Sequence, residues 1–426
     1  MPIRPVAAPR DPWEAFLRLH EPGTPGLLLD APALSGPLAG WAYVATAPAW
    51  ERRGGFELLD ADLGPAAPDA RVPWTGGLAG FVSYDAARRL ERLPDLAAGD
   101  RDVPDLFVAR FDRVVAYDLA AGVAFACAPD EARLREVVAA LAGPSPALRE
   151  GGWTPPVPEQ SAKEFEARVF DAKAYVREGH VFQANLSQRL SAPFAGDPRA
   201  LYARVRRTNP APFAAYLDAG DFQILSTSPE RLVGLGGVEA FARPIAGTRP
   251  RGETPAEDVA LERELRTDEK ERAEHVMLVD LARNDLGRVA RAGTVRVAEF
   301  GRVEKYARVQ HLVSDVRAEL DEGRTPRDLV EAAFPGGTVT GAPKVRAMEV
   351  IEELEPVRRG AYTGSLFRLG RAGSGWSFDA SILIRTLVVS GGRVDLQVGA
   401  GIVEDSVPHR EHLECLAKAR ALLEAF

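Results

Sequence analysis

The chain predicts an α+β fold with mostly antiparallel sheets, and three observations carry that prediction. Strand-like runs follow one another closely, and segments of helical period fall between groups of them. Gly and Pro punctuate the runs, 39 and 33 of them in 426 residues. The composition, 46% hydrophobic and 27% charged, supplies enough apolar residues for a large core.

The elements follow in order. Residues 11–20 form a short helix, with Asp11 as cap and Pro12 at its first position. Strand-like runs cover 26–29, 41–45, 77–83 and 107–117, and 131–141 has a helical pattern, so this first stretch reads as α/β. Residues 143–158 are rich in Pro and Gly and make the best linker, separating an amino-terminal region (1–145) from a second region (160–426). There Ser161 and Glu164 form a capping box for a helix over 161–178, whose apolar stripe is Phe165, Val169, Ala172 and Val176. Strands are expected at 182–190, 213–217, 223–227 and 239–242, then a long helix over 255–283. Further strands lie near 295–300 and 308–318, with helices from Thr325 and Pro343. Strands at 364–369, 377–389 and 394–402 precede a last helix over 407–426.

Composition excludes several classes. With 53 basic against 61 acidic residues and a net charge of −8, the chain is not a general phosphate-backbone binder, so no nucleic-acid partner is expected. Cys127 and Cys415 are too few for a disulfide framework or a cysteine-rich zinc site. No apolar run reaches membrane-spanning length and no signal-peptide pattern follows Met1, so a cytoplasmic protein without a membrane partner is expected. Lysine is rare, only six of the basic residues, which directs attention to Lys344 and Lys418.

Several constellations have the residue types that chemistry needs. Glu411, Glu414 and Lys418 share one face of the last helix, where two carboxylates one turn apart can hold a hard cation; taken alone they also suit a solvated face. Glu271 and Glu274 repeat the pair where their helix enters the core at His275–Val279, and a carboxylate there needs a partner or a metal. Gly-rich turns at 244–248, 336–341 and 399–401 can present N–H groups to an anion, although Lys344 does not fit the spacing of a phosphate loop. His311 lies in an alternating strand, where it is structural or a proton donor. No hydrolase triad is present in recognisable order.

These segments, in this order, resemble the chorismate-utilising enzymes: anthranilate synthase component I, aminodeoxychorismate synthase component I, isochorismate synthase and salicylate synthase. The matching stretches are FQANLSQR (182–189), TSPER (227–231), RPIAGTRPRG (243–252), KERAEHVMLVDLARNDLGRV (270–289), VQHLVSDV (309–316), FPGGTVTGAPKVRAMEVIEELEP (334–356), SILIRT (381–386) and VGAGIV (398–403). The resemblance covers 160–426 densely, identifies that region as the chorismate-binding catalytic domain, and implies large antiparallel sheets packed as a sandwich with helices outside. It implies that Glu274 and Glu414 hold Mg²⁺, with Glu271 and Glu411 nearby, the metal binding the ring carboxylate of chorismate. It also implies that Arg385 and Tyr362 hold the enolpyruvyl carboxylate, that Lys418 and the backbone of Gly247, Thr248 and Gly401 make further carboxylate contacts, and that His311 and Glu230 are an acid–base pair flanking the ring.

Position 183 separates water from ammonia as nucleophile. The resemblance places lysine here in the water-using enzymes and glutamine in the ammonia-using ones, and this chain has Gln183. An aminating enzyme is therefore expected, supplied by a glutamine amidotransferase subunit, since no glutaminase site is found in these residues. Asn185, Gly336-Gly337, Thr340, Gly364-Ser365 and YDAARRLERLP (84–94) resemble aminodeoxychorismate synthase. Leu27-Leu28-Leu29-Asp30 replaces the tryptophan-sensing LLES of many anthranilate synthases. Ala246 points the other way, to anthranilate synthase, because it removes the lysine through which a covalent ring adduct would form. The expected product is 4-amino-4-deoxychorismate, a folate precursor, with anthranilate as the alternative.

Overall fold

The computed structural model of the chain describes residues 1–30, 40–65, 71–306 and 309–426. Among these, the strands form a twelve-stranded and a ten-stranded sheet, and the paired strands run antiparallel. The first sheet runs from Ile3–Val6 through Val123–Cys127, Val114–Asp118, Trp41–Thr46 and Gly26–Asp30 to Phe213–Asp218, Phe222–Ser228, Thr386–Ser390, Arg393–Ile402, Gln183–Pro193 and Gly341–Ala342. The second runs from Ile245–Pro250 through Val309–Glu319, Glu239–Ala242, Arg231–Gly237, Gly375–Ile382, Ser365–Ala372, Gly77–Val82 and Leu106–Phe111 to Trp50–Arg53.

The sheets pack face to face. Phe222 of the first meets Phe81 and Phe107 of the second edge-on, with ring centroids 5.6 and 6.1 Å apart. Such pairs add about 1 kcal/mol each beyond the burial of their area. Helices cover the sandwich, as Pro12–Leu19 does on Trp41–Thr46 and Pro408–Leu423 on Arg393–Ile402. The α+β, antiparallel reading is therefore what the chain adopts.

Local chemistry explains the helix ends. The Asp11 side chain accepts from Trp13 N, and Ser161 and Glu164 make both bonds of the expected capping box. Glu131–Leu141 matches its predicted span.

Four expectations are corrected. The long helix over 255–283 is two, Pro255–Thr267 and Glu269–Gly287, because Asp268 leaves helical geometry (ψ 115°) and caps the second by accepting from Glu271 N. The run 107–117 is two strands, Leu106–Phe111 and Val114–Asp118, which lie in different sheets. The run 377–389 likewise divides into Gly375–Ile382 and Thr386–Ser390. The first stretch has no parallel strand pairing among its described residues, so α/β does not describe it. Residue 308, the start of one expected strand, lies outside the described residues; the strand is seen over Val309–Glu319.

Both sheets cross the 143–158 stretch. Gly26–Asp30 pairs with Phe213–Asp218, and Gly77–Val82 pairs with Ser365–Ala372. Regions 1–145 and 160–426 thus share hydrogen-bonded sheets and one interleaved core, including Leu28, Val108, Leu225 and Phe367.

Candidate active site

Two of the places where the chain passes from one sheet to the other are adjacent, and each of these crossings carries a candidate site residue. Pro229 and Glu230 link Phe222–Ser228 to Arg231–Gly237; Leu383, Ile384 and Arg385 link Gly375–Ile382 to Thr386–Ser390. Hydrogen bonds lock the crossings together. Ile382 N donates to Glu230 O at 3.0 Å, and Thr227 N donates to Arg385 O at 3.0 Å. Arg385 has a left-handed backbone (φ 51°), which costs a non-glycine residue energy and persists where surrounding contacts over-determine it.

A cavity of about 230 Å³ opens beside these crossings, lined by Glu230, Gly247, Thr248, His311, Tyr362, Arg385 and Lys418 among others. Seven of the residues expected to act together therefore do surround one space. Among the described residues, the Arg385 guanidinium makes no hydrogen bond or ion pair, although it is largely buried and burial lowers its pKa, with only Tyr362 opposing. A desolvated, unpartnered guanidinium on a cavity wall is a site for an anion. Lys418 also lines the cavity, its Nζ bound to Gly399 O at 2.9 Å and to Glu414 at 2.8 Å.

The two proton-transfer candidates have separate environments. Glu230 is 8% exposed, and burial pushes its carboxyl up to about 7, while the Thr338 hydroxyl, donating at 2.6 Å, acts in the opposite direction. His311 is held below its ordinary value by burial, opposed by the backbone of Gly247, so it is a neutral imidazole at pH 7. Its Nδ1 is hydrogen-bonded to the Thr248 hydroxyl at 2.9 Å. The sequence explains that contact. Gly247 (φ +76°) is the extra residue of a β-bulge between Ala246 and Thr248, and the bulge brings Thr248 opposite His311.

The other expected site residues adjoin the cavity or stand behind it. Ala246 is buried and paired with Leu312, outside the lining. Gln183 is 7% exposed; its Nε2 is 3.5 Å from Glu274 Oε1, and a Cβ at Gly401 would lie 2.2 Å from the same Nε2. Glu271 is bound by Arg249 at 3.0 Å. The Glu274 carboxyl is raised by burial first and then by the charge of Glu271, with Glu414 adding to it, so the two helices bring carboxylates within electrostatic reach. Glu411 is raised by burial and by Glu414. Among the described residues, no three acidic, His or Cys side chains sit close enough to enclose a metal. The donors are nevertheless all carboxylates that oppose each other's ionisation, and a hard divalent cation would relieve that repulsion.

Sequence reasoning assigned no role to two residues that matter here. Thr338 supports Glu230, and Arg359 ties together three parts of the wall. Its guanidinium pairs with Glu355 at 2.7 Å, donates to Val339 O at 3.0 Å and Asn185 O at 2.5 Å, and lies over the Tyr362 ring. Their signal was position alone: Thr338 lies within the 336–341 turn, and Arg359 is four residues after Glu355.

The chain matches the model of a family described as chorismate binding enzyme over residues 35–424. It is 43% identical to anthranilate synthase component 1 1 of Haloarcula marismortui, over 97% of this chain and 90% of that one. It is 44% identical to aminodeoxychorismate synthase component 1 of Bacillus subtilis, over 87% of this chain and 80% of that one. Its fold superposes on the crystal structure of anthranilate synthase component I from Streptococcus pneumoniae TIGR4 with a TM-score of 0.83, at 32% identity, covering 92% of this chain and 94% of that one. Among the described residues, no helix is long and apolar enough to cross a membrane.

Proposed function

The chain belongs to the chorismate-binding enzyme family, and from that premise we propose that it aminates chorismate to 4-amino-4-deoxychorismate, using ammonia released by a glutamine amidotransferase subunit. The observation that carries this reading is the cavity itself. It offers a buried, unpartnered guanidinium and a lysine to a dicarboxylate, between a carboxyl that burial pushes up to about 7 and an imidazole that burial holds below its ordinary value.

In this reading Arg385 and the Tyr362 hydroxyl hold the enolpyruvyl carboxylate. Lys418 and the backbone of Gly247, Thr248 and Gly401 add further carboxylate contacts. Ammonia forms a bond to ring C2, the two ring double bonds shift, and the C4–O bond breaks. Glu230 gives the departing hydroxyl its proton, so that it leaves as water, and His311 takes the proton lost by the new ammonium nitrogen. Magnesium, when bound by Glu274 and Glu414 with Glu271 and Glu411 beside them, would hold the ring carboxylate and neutralise developing charge. Gln183, a neutral amide, cannot deprotonate water, which favours ammonia. With Ala246 in place of a lysine, no covalent ring adduct forms on the chain. The 4-amino product then requires a second ammonia to add at C4 and expel the C2 amine.

The second reading is anthranilate synthase component I, in which the C2-aminated ring loses pyruvate. Ala246 favours it, as do the several relatives that carry that name. Incubating the chain with chorismate, Mg²⁺ and an ammonium salt separates the two. The proposal expects p-aminobenzoate only after a pyruvate-removing lyase is added. Strong anthranilate fluorescence without added lyase overturns it in favour of the second reading.

A further inference from the structure

Lys344, one of only six lysines in the chain, does not line the substrate cavity. Its Nζ donates to Asp285 Oδ2 at 2.8 Å and to Ala333 O at 3.0 Å, and the paired side chains are only 12% and 11% exposed. Neither charge suits its own helix. Lys344 is the first residue of Lys344–Leu354 and Asp285 lies in the last turn of Glu269–Gly287, the ends at which the helix dipole disfavours a cation and an anion. Burial raises the Asp285 carboxyl, and Lys344 opposes that rise. What the pair joins accounts for it better than either helix does.

The pair closes a loop. Ala333 ends the helix Pro326–Ala333 and Lys344 begins the next, so one ammonium holds both ends of the segment 333–344 and fastens them to the helix that carries Glu274. Asp285 stands eleven residues, about three turns, after Glu274 and so on the same face of that helix. Within the loop, the Thr338 hydroxyl donates to Glu230 at 2.6 Å, Val339 O accepts from Arg359 at 3.0 Å, and Ala342 pairs with Gln183. Beside Thr338 a hollow of about 40 Å³ separates part of the turn from the helix, lined by Glu230, Gly336, Gly337, Leu281 and Asp285 among others. Close packing alone therefore does not set where Thr338 points. The ion pair at the closure of the loop supplies the missing restraint.

We propose that Lys344 is a positioning residue for the acid: by binding Asp285 and Ala333 it fixes the loop that aims Thr338 at Glu230. The inference rests on Glu230 giving its proton to the departing hydroxyl. Its test is the double variant Lys344→Met with Asp285→Leu, which removes the clasp and leaves neither charge unpaired. Replacing a buried ion pair by apolar groups is often neutral or favourable for stability. Charged or titratable side chains face Glu230 from both sides, Arg231, Arg243 and Asp285 around the hollow and His311, Arg385 and Lys418 around the substrate cavity; of these the double variant alters only Asp285. The readout is the pH profile of kcat/KM for chorismate at fixed total ammonium. The expected alkaline limb lies about one unit above the parent's, the movement expected of Thr338→Val, and adding Thr338→Val moves it little further. A limb that stays in place in the folded double variant, or a Thr338→Val shift that adds in full, overturns the clasp. Asp285→Leu alone gives an independent reading. Taking a carboxylate from beside Glu230 would by charge lower the limb, so a rise marks the lost aim of Thr338, and a fall or no change overturns the proposal. If Thr338→Val itself leaves the limb in place, Glu230 is not the acid and it is the underlying reading that fails.

Discussion

Thr338→Val removes one hydroxyl and leaves a side chain of nearly the same shape, which makes it a clean probe of Glu230. The Thr338 hydroxyl donates to Glu230 Oε1 at 2.6 Å and is the interaction holding that carboxyl down against burial, which has pushed it up to about 7. A hydrogen bond to a charged group contributes about 1.5–3 kcal/mol. Part of that is kept when the carboxyl is protonated, and one pKa unit corresponds to about 1.4 kcal/mol. The expected shift is therefore about one unit upward. As a general acid, Glu230 works protonated, so kcat/KM for chorismate falls as pH rises through its pKa. In Thr338→Val that alkaline limb should move up by about one unit, while the plateau rate drops because a weaker acid transfers its proton less readily. The assay is the pH profile of kcat/KM at fixed total ammonium. The ammonia titration is common to parent and variant and cancels in their ratio. A limb that stays in place or moves to lower pH would refute the assignment of Glu230 as the acid.

Three other perturbations follow from the same geometry. Glu230 is raised from its ordinary 4.5 to about 7, so the folded state holds a proton that the unfolded state has lost between those values, and stability falls as pH rises through that window. Glu230→Gln should thus melt above the parent at pH 8, by at most about 3 kcal/mol of stability, with the gap closing below pH 4.5, as calorimetry at both pH values would show. Arg385→Met removes a buried cation that nothing among the described residues pairs, and should raise KM for chorismate about 10- to 100-fold without lowering the melting temperature. Glu274→Ala should raise the magnesium concentration for half-maximal turnover at least tenfold while melting no lower than the parent, since it relieves crowding with Glu271 and Glu414; turnover of the parent should stop with a chelator.

Much of the candidate site could be read from the sequence because its residues sit in long local patterns. Helix caps such as Asp11 and Ser161 act within three residues of themselves, so they could be read directly. Gly247, Thr248, His311, Tyr362, Arg385 and Lys418 belong to recognisable stretches, and the fold gathers them around one cavity. What periodicity cannot report is which sheet a buried strand joins. The runs at 107–117 and 377–389 each read as one strand because both halves are buried, yet each changes sheets across two or three residues. The sharing of both sheets across 143–158 was hidden for the same reason, since Gly77–Val82 finds its neighbour nearly 290 residues later. Supporting residues were the least visible. Thr338 and Arg359 act by touching another side chain, Glu230 and Glu355, and no spacing along the chain announces such a contact.

Isotope labelling distinguishes addition of ammonia to chorismate in this cavity from addition of water. The chain is incubated with chorismate, Mg²⁺ and ¹⁵N-ammonium, and the chorismate-derived products are read by mass spectrometry. The expected product carries one ¹⁵N in place of the C4 hydroxyl, formed by the parent and lost in Glu230→Gln. An unlabelled isomer of chorismate, with the hydroxyl moved to C2, would contradict it.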